Sequence, residues 1–374
     1  MKIAFVSLLR VFAWGGSEEL WFRTAQLALT QGHTVYSLTH KGNNISNKII
    51  ELQQLGAITK FYFKPQYSLV DRVAIKAKIK QSQINVVPNV EADVYIISSG
   101  TVFDCLYYRE LVEEIIQKNK PYIIINQHNF ENGRIPSLEQ REYIINLFSK
   151  AKRNFFVSQR NLITAERQIA YHISDAAIIG NPLNIASPAM KSFPISSSLL
   201  MACVARLDCD FKGQDILLQT LSQPQWVGRE FSLKFYGTGP HHDYLQTLIE
   251  LYGLQNKVTL EGHVSNIDHI WETNQIMILP SLSEGTSLSM VEAMVSGRAV
   301  FTTDVGDSER YIISGKTGFL AAFASVKCLS AGLEEVWQSR DSLEEMGRNA
   351  FDHAIAITDL HPDKSLLDYI ETLQ

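Results

Sequence analysis

The four cysteines, Cys105, Cys203, Cys209 and Cys328, form no CxxC pair and no Cys/His cluster at zinc spacing. That argues against disulfide scaffolds and zinc modules and leaves buried thiols in a reducing compartment as the expectation. Long apolar runs are also lacking, and nothing approaches the roughly 20 residues a membrane-crossing helix needs. The apolar start, Met1 to Leu9, is followed by Arg10 and the acidic pair Glu18–Glu19 with no small-residue cleavage site. It reads as a first buried strand rather than a secretory leader, and a cytoplasmic location is expected. Neither sign of charge dominates: 34 basic against 39 acidic residues give a net charge of -5. No nucleic-acid partner is expected from such a balance. The GxGxxG fingerprint is missing after the first strand, so a nicotinamide cofactor is not expected. No solenoid repeat or low-complexity tract is present.

What is present is a chain of 374 residues, 45% hydrophobic and 20% charged, long enough for two domains. The stretch Ile276 to Leu320 organises it. Ile276-Met277-Ile278-Leu279 reads as a buried strand bounded by Pro280. A polar loop, Ser281 to Ser287, leads to a short helix, Leu288 to Ser296, which Gly297 can end in the left-handed conformation. Ala299 to Thr303 is the next strand. In such a βαβ unit the loop opens at a strand's carboxyl end against a helix N-terminus, where backbone N–H groups suit anions. Two carboxylates, Glu284 and Glu292, sit in or beside this loop. Neither serves a bare phosphate, but both can accept hydrogen bonds from hydroxyls. The combination suits a ligand with a charged middle and hydroxylated ends, a nucleotide sugar. The competing local reading is a Ser289–Glu292 capping box with Glu284 solvated.

Along the first half, Lys2 to Leu9, Thr34 to Thr39, Ala92 to Ser98, Tyr122 to Asn126, Asn154 to Ser158 and Ala176 to Ile179 read as strands. Gly15 and Gly16, after the first, let a ligand approach the backbone or simply make a tight turn. Ser17 is read as an N-cap, with Glu18 and Glu19 in the first helical turn. His128 stands at the end of a strand, as a candidate for substrate contact or a structural loop histidine. Residues 60–80 carry Lys60, Lys64, Arg72, Lys76, Lys78 and Lys80 among aromatics. They offer a solvated face or a peripheral contact with anionic lipid at the inner membrane surface.

Asn181 to Ser198, with three prolines and five serines, is the linker candidate. Beyond it the α/β rhythm restarts, with strands at Leu199 to Ala205, Leu233 to Tyr236 and Lys257 to Glu261. Arg206 and Lys212 follow the first of these. Two cations at a strand end suit a diphosphate, though surface ion pairing is the simpler reading. Asp208-Cys209-Asp210 is formally a DxD, but it lies between those cations and no metal is expected there.

In these pieces the chain resembles the retaining glycosyltransferases of family 4, with the GT-B fold. They are Gly15-Gly16-Ser17-Glu18, Ala205-Arg206-Leu207 with Lys212-Gly213, Tyr236-Gly237-Thr238-Gly239-Pro240 and Gly262. The series continues with Pro280-Ser281-x-x-Glu284-Gly285, Glu292-Ala293-Met294, Gly297, Asp304-Val305-Gly306-x-x-Glu309 and Gly315-Lys316-Thr317-Gly318-Phe319-Leu320. The resemblance implies an α/β chain of two Rossmann-like doubly wound domains facing each other across a cleft. An acceptor-binding domain would span 1–182, rejoined by a final helix within 361–374, and a donor-binding domain 183–360. Arg206 and Lys212 would hold the diphosphate, and backbone N–H groups of Thr286, Ser287, Leu288 and Ser289, next to Gly285, would contact phosphate and sugar. Glu284 would hold donor-sugar hydroxyls and Glu292 the ribose, while backbone near Gly262 and His263, with Gly237, would frame the nucleotide. Gly15 and Gly16 would approach the phosphates, and His128 would stand near sugar and acceptor. The implied partners are a UDP- or GDP-sugar donor and a saccharide or glycolipid acceptor, with no cofactor and no metal. Two departures stand out: Thr286-Ser287 replaces the family's usual aromatic-glycine, and Asn181-Pro182 its usual Asn-Gly. Alternatives are a nucleotide-sugar epimerase of the same fold and a silent nucleotide-sugar-binding relative.

Overall fold

The computed structural model describes residues 1–9, 14–41, 45–62, 89–185 and 187–373, together with Val70, Val73 and Ala77. The chain divides into two compact units, residues 1–182 with 361–374, and residues 183–360. The first is built on seven parallel strands: β1 (Lys2–Ser7), β2 (Thr34–His40), β3 (Ile58–Tyr62), β4 (Val94–Ser99), β5 (Tyr122–Asn126), β6 (Arg153–Phe156) and β7 (Ala176–Ile178). Their spatial order is β3-β2-β1-β4-β5-β6-β7. Apolar cores cover both faces of the sheet, one around Tyr95, Ile97 and Phe148, the other around Phe5, Trp21 and Ile96. Burial on both faces explains why β4 and β5 read as near-continuous apolar runs.

The second unit repeats the plan with β8 (Leu199–Val204), β9 (Phe231–Tyr236), β10 (Val258–Gly262), β11 (Ile276–Leu279), β12 (Ala299–Thr303) and β13 (Gly318–Ala321). The order is β10-β9-β8-β11-β12-β13. In each sheet the order reverses beside the first strand, between β1 and β4 and between β8 and β11. Ligands of doubly wound folds bind outside the carboxyl ends of the strands at such a reversal.

The last helix, Pro362–Glu371, belongs to the first unit. It buries Leu366, Leu367 and Ile370 against the core that also holds Leu20 and Trp21, at about 1.5–3 kcal/mol for each apolar side chain. Thr24 Oγ1 donates to the Asp363 carbonyl at 3.2 Å, and His33 Nε2 lies 2.8 Å from Glu371.

Three sequence expectations need correction. Ser17 caps nothing: residues Gly16–Glu18 form a 3-10 turn, and the helix proper starts at Glu19. The segment read as a linker is tied to the second unit beyond Pro182, because Lys191 N donates to the Ser296 carbonyl and Phe193 packs on the core. The Ser289–Glu292 capping box is not formed: Ser287 caps the helix Leu288–Met294, accepting from Met290 N. Two strands went unrecognised in the sequence, β3 and β13. Of the cationic stretch 60–80, Lys64, Arg72, Lys76, Lys78 and Lys80 lie outside the described residues. Among the described residues no helix is long and apolar enough to cross a membrane.

Candidate active site

The loops after β8, β9, β10 and β11 interlock at the carboxyl edge of the second sheet. Leu207 N donates to the Thr238 carbonyl at 3.0 Å, and Gly237 N to the Gly262 carbonyl at 2.8 Å. A Cβ on Gly237 would stand 2.1 Å from the Ala205 carbonyl oxygen, so this packing needs glycine. Leu282 N donates to the Phe211 carbonyl at 2.8 Å, which pins the loop after β11 to the short helix Cys209–Lys212.

That pinning brings Lys212 to Glu284. Lys212 Nζ lies 2.5 Å from Glu284 Oε1, and Ser281 Oγ donates to the same oxygen at 2.7 Å. The pair is largely shielded from water, with side chains 21% and 11% exposed. Arg206 donates from Nη2 to Asp208 Oδ2. Both cations assigned to a diphosphate therefore already face carboxylates. The DxD reading finds Asp208 engaged by Arg206, with His241 Nδ1 3.9 Å from its other oxygen.

Glu292 sits in the helix Leu288–Met294 and is buried. Its Oε1 accepts from the Asn184 backbone N–H at 2.8 Å and from Asn184 Nδ2 at 3.2 Å. The sequence offered no signal for Asn184 as its holder, because the two lie 108 positions apart. For Ser281 the Pro-Ser-x-x-Glu run is the one local signal, since the spacing sets its hydroxyl against Glu284. Thr286 and Ser289 are half-buried, Ser287 is buried, and His263 is exposed beside Gly262, whose φ is +71°.

The second unit thus gathers Arg206, Lys212, Gly237, Gly262, His263, the loop and first turn from Glu284 to Ser289, and Glu292. Gly15, Gly16 and His128 belong to the first unit. Gly15 is extended at φ -155°, and its carbonyl accepts from Glu18 N at 3.0 Å. His128 follows β5, its carbonyl accepts from Val102 N, and its ring meets Phe130 edge-on at 4.4 Å.

Gly306 closes the other side of the Glu284 loop. Its φ is +56°, and a Cβ there would stand 2.0 Å from the Gly285 carbonyl oxygen and 3.0 Å from that of Glu284. Gly306→Ala is expected to cost about 2–3 kcal/mol and to displace Glu284, whereas Gly315→Ala should cost about 1 kcal/mol, the strain of a positive φ alone. Gly315 has φ +74° and open space around it. Urea titrations of the two variants check the difference, and equal losses would remove the steric argument.

Full-length similarity to solved structures decides the fold. The chain matches the Anabaena protein Alr3699/HepE, solved in complex with UDP, at TM-score 0.74 and 18% identity over 100% of both chains. A glycosyltransferase from Rickettsia africae matches at TM-score 0.74 and 16% identity, over 100% of this chain and 98% of that one. This is the GT-B fold. Residues 190–353, nearly all of the second unit, match the family described as glycosyl transferases group 1. An uncharacterized glycosyltransferase of Haemophilus influenzae is 23% identical over 340 residues, 89% of each chain. The GtfA subunit of a Streptococcus gordonii UDP-N-acetylglucosamine–peptide N-acetylglucosaminyltransferase is 33% identical over 58% of this chain and 44% of its own.

Proposed function

We propose that this GT-B protein is a retaining glycosyltransferase of family 4. It moves a hexosyl group from a UDP- or GDP-sugar to a hydroxyl of a saccharide or glycolipid, without a metal ion. The group 1 match and the glycosyltransferase names of its relatives support transfer from a nucleotide sugar. The observation that carries the reading is the Lys212–Glu284 pair at the strand-order reversal of the second sheet, with Arg206 in the loop after β8 and Glu292 buried in the adjoining helix.

In this reaction the bond from the sugar's anomeric carbon to the diphosphate breaks, and a bond from that carbon to the acceptor oxygen forms. On a same-face path the acceptor proton passes to the departing phosphate oxygen. Arg206 and Lys212 stabilise the charge that grows on the diphosphate, the point at which fixed electrostatics accelerate most. Glu284 holds donor hydroxyls and Glu292 the ribose. The Gly15–Gly16 loop is assigned to phosphate and His128 to sugar and acceptor. Placement on a membrane through residues 60–80 belongs to the same proposal.

A panel of UDP-glucose, UDP-N-acetylglucosamine and GDP-mannose tests it. At about 100 times its dissociation constant, the true donor should stabilise the fold by about 2.7 kcal/mol, a rise of several degrees in melting midpoint. Chelator should leave the rise unchanged. Slow nucleotide release supports transfer, and isomerisation of the sugar would replace it with epimerisation. With an acceptor in hand, the product's anomeric coupling constant reports retention or inversion.

A further inference from the structure

Glu18 is a buried acid that this mechanism does not use. It lies in the 3-10 turn directly after Gly15, and only 2% of it is exposed. Its Oε2 accepts from Trp21 Nε1 at 2.8 Å. The Trp21 ring stacks on Phe5 of β1 at 6.0 Å and meets Trp14 at 5.7 Å. Trp14, the residue before Gly15, donates its own indole N–H to Glu19 at 2.8 Å. Two carboxylates each holding an indole thus clasp both ends of the glycine loop to the helix Glu19–Thr30.

The groups facing Glu18 come from several elements. Ser7 of β1, Ser17 of the turn and Trp21 favour its charged form. Burial opposes that form more strongly, and Asp104 adds to the opposition, so its pKa is raised to about 7. Tyr62 of β3 and Tyr108 stand in the same cluster, edge to face at 5.2 Å, with His40 of β2 at 5.6 Å from Tyr62. Arg23 and Lys48 approach Glu19, at 3.7 and 3.8 Å. An anion brought to the Gly15–Gly16 loop therefore meets a buried acid two residues away that can shed its charge at neutral pH.

We propose that Glu18 is a positioning residue for the Gly15–Gly16 loop, and that its carboxyl takes up a proton when a nucleoside diphosphate settles against that loop. This rests on the reading that the loop meets the donor phosphates. The sign follows from like charges: the protonated form accepts the anion, so affinity is highest below neutral pH and is lost as pH rises.

Titration calorimetry with UDP and with GDP, each in two buffers of different ionisation heat, tests the proposal on wild type and Glu18→Gln. Wild type should take up a fraction of a proton near pH 7 that the variant does not. Its affinity should fall about tenfold more than the variant's as pH rises across neutrality, the loss expected if bound nucleotide raises the acid by one pH unit. Equal proton uptake and equal pH slopes in the two proteins would overturn it. Trp21→Phe, which removes the donor to Oε2, should move the affinity loss to higher pH, and an unmoved profile counts against the clasp. If neither nucleotide binds, the donor reading fails and takes the proton uptake with it. The Trp21 indole N–H resonance still decides the clasp, since it should titrate near neutral pH in wild type and stay flat in Glu18→Gln. A flat wild-type resonance would overturn it.

Discussion

Replacing Glu284 with alanine is expected to lower the turnover of sugar transfer by about two to three orders of magnitude, the usual loss when one fixed electrostatic or hydrogen-bonding partner of the reacting group is removed. Stability should fall by about 1–3 kcal/mol, because the Lys212 ammonium and the Ser281 hydroxyl lose their acceptor in a place largely shielded from water. The geometry predicts a further asymmetry. Glu284 Oε1 receives both the Lys212 ammonium and the Ser281 hydroxyl. In the proposed donor complex, its removal would release a cation toward the phosphates while deleting the acceptor for sugar hydroxyls. Nucleoside diphosphate affinity should therefore hold or rise in Glu284→Ala, although transfer collapses. Lys212→Ala should show the reverse pattern, with weaker nucleotide binding and a smaller loss once donor saturates. Initial rates across donor concentrations, together with calorimetry on UDP and GDP, separate the two. Near-normal turnover in Glu284→Ala would take this residue out of the mechanism.

Much of the doubly wound plan was legible because a parallel sheet buries both faces. Strands such as Val94–Ser99 and Tyr122–Asn126 then become short apolar runs with no competing helical pattern. β3 was not legible, since Ile58–Tyr62 is an edge strand with alternating exposure and a lysine, and it merges in the sequence with the cationic stretch that follows. β13 hides behind glycines that look like a turn. Gly318 is there because a Cβ would lie 2.0 Å from the Val300 carbonyl oxygen, a close strand approach that no local pattern announces.

At the site, Arg206, Lys212 and Glu284 could be found because each follows a strand. The pairing of Lys212 with Glu284 could not, since it depends on the backbone bond from Leu282 to Phe211. Glu292 has capping-box spacing from Ser289, yet the local rule lost to burial and to Asn184, a contact set by the tertiary fold. Ser17 lost its cap for a related reason. Trp21 donates its indole N–H to Glu18 in the core, and residues Gly16–Glu18 form a 3-10 turn in place of the expected helical start.

The residue on which the second unit's stability should depend most is Arg298, which no local pattern singled out. Arginine is rarely buried, yet only 1% of this one is exposed, and among the described residues no carboxylate pairs with it. Its Nε donates to the carbonyls of Trp271 at 2.7 Å and Asn274 at 2.9 Å. Nη1 reaches those of Lys191, Ser296 and Gly297, and Nη2 that of Ser192. The planar fork thus joins the segment before β8, the turn before β11 and the end of the helix Leu288–Met294, and it lies 5.4 Å over the Phe193 ring. Burial pushes its pKa down to about 10, so the carbonyls must offset a real desolvation cost. Arg298→Met fills the space but leaves several carbonyls buried without donors, at about 1–3 kcal/mol each where water cannot reach. The expected net loss is about 3–5 kcal/mol, the range for uncoupling a buried charged network. Arg298→Lys should recover less than half, because an ammonium carries three donors without the fork's geometry. Urea unfolding followed by tryptophan fluorescence reads the second unit through Trp226, Trp271 and Trp337. A methionine variant within about 1 kcal/mol of wild type would mean that water or backbone rearrangement satisfies these carbonyls, and that Arg298 is not the fastener the geometry describes.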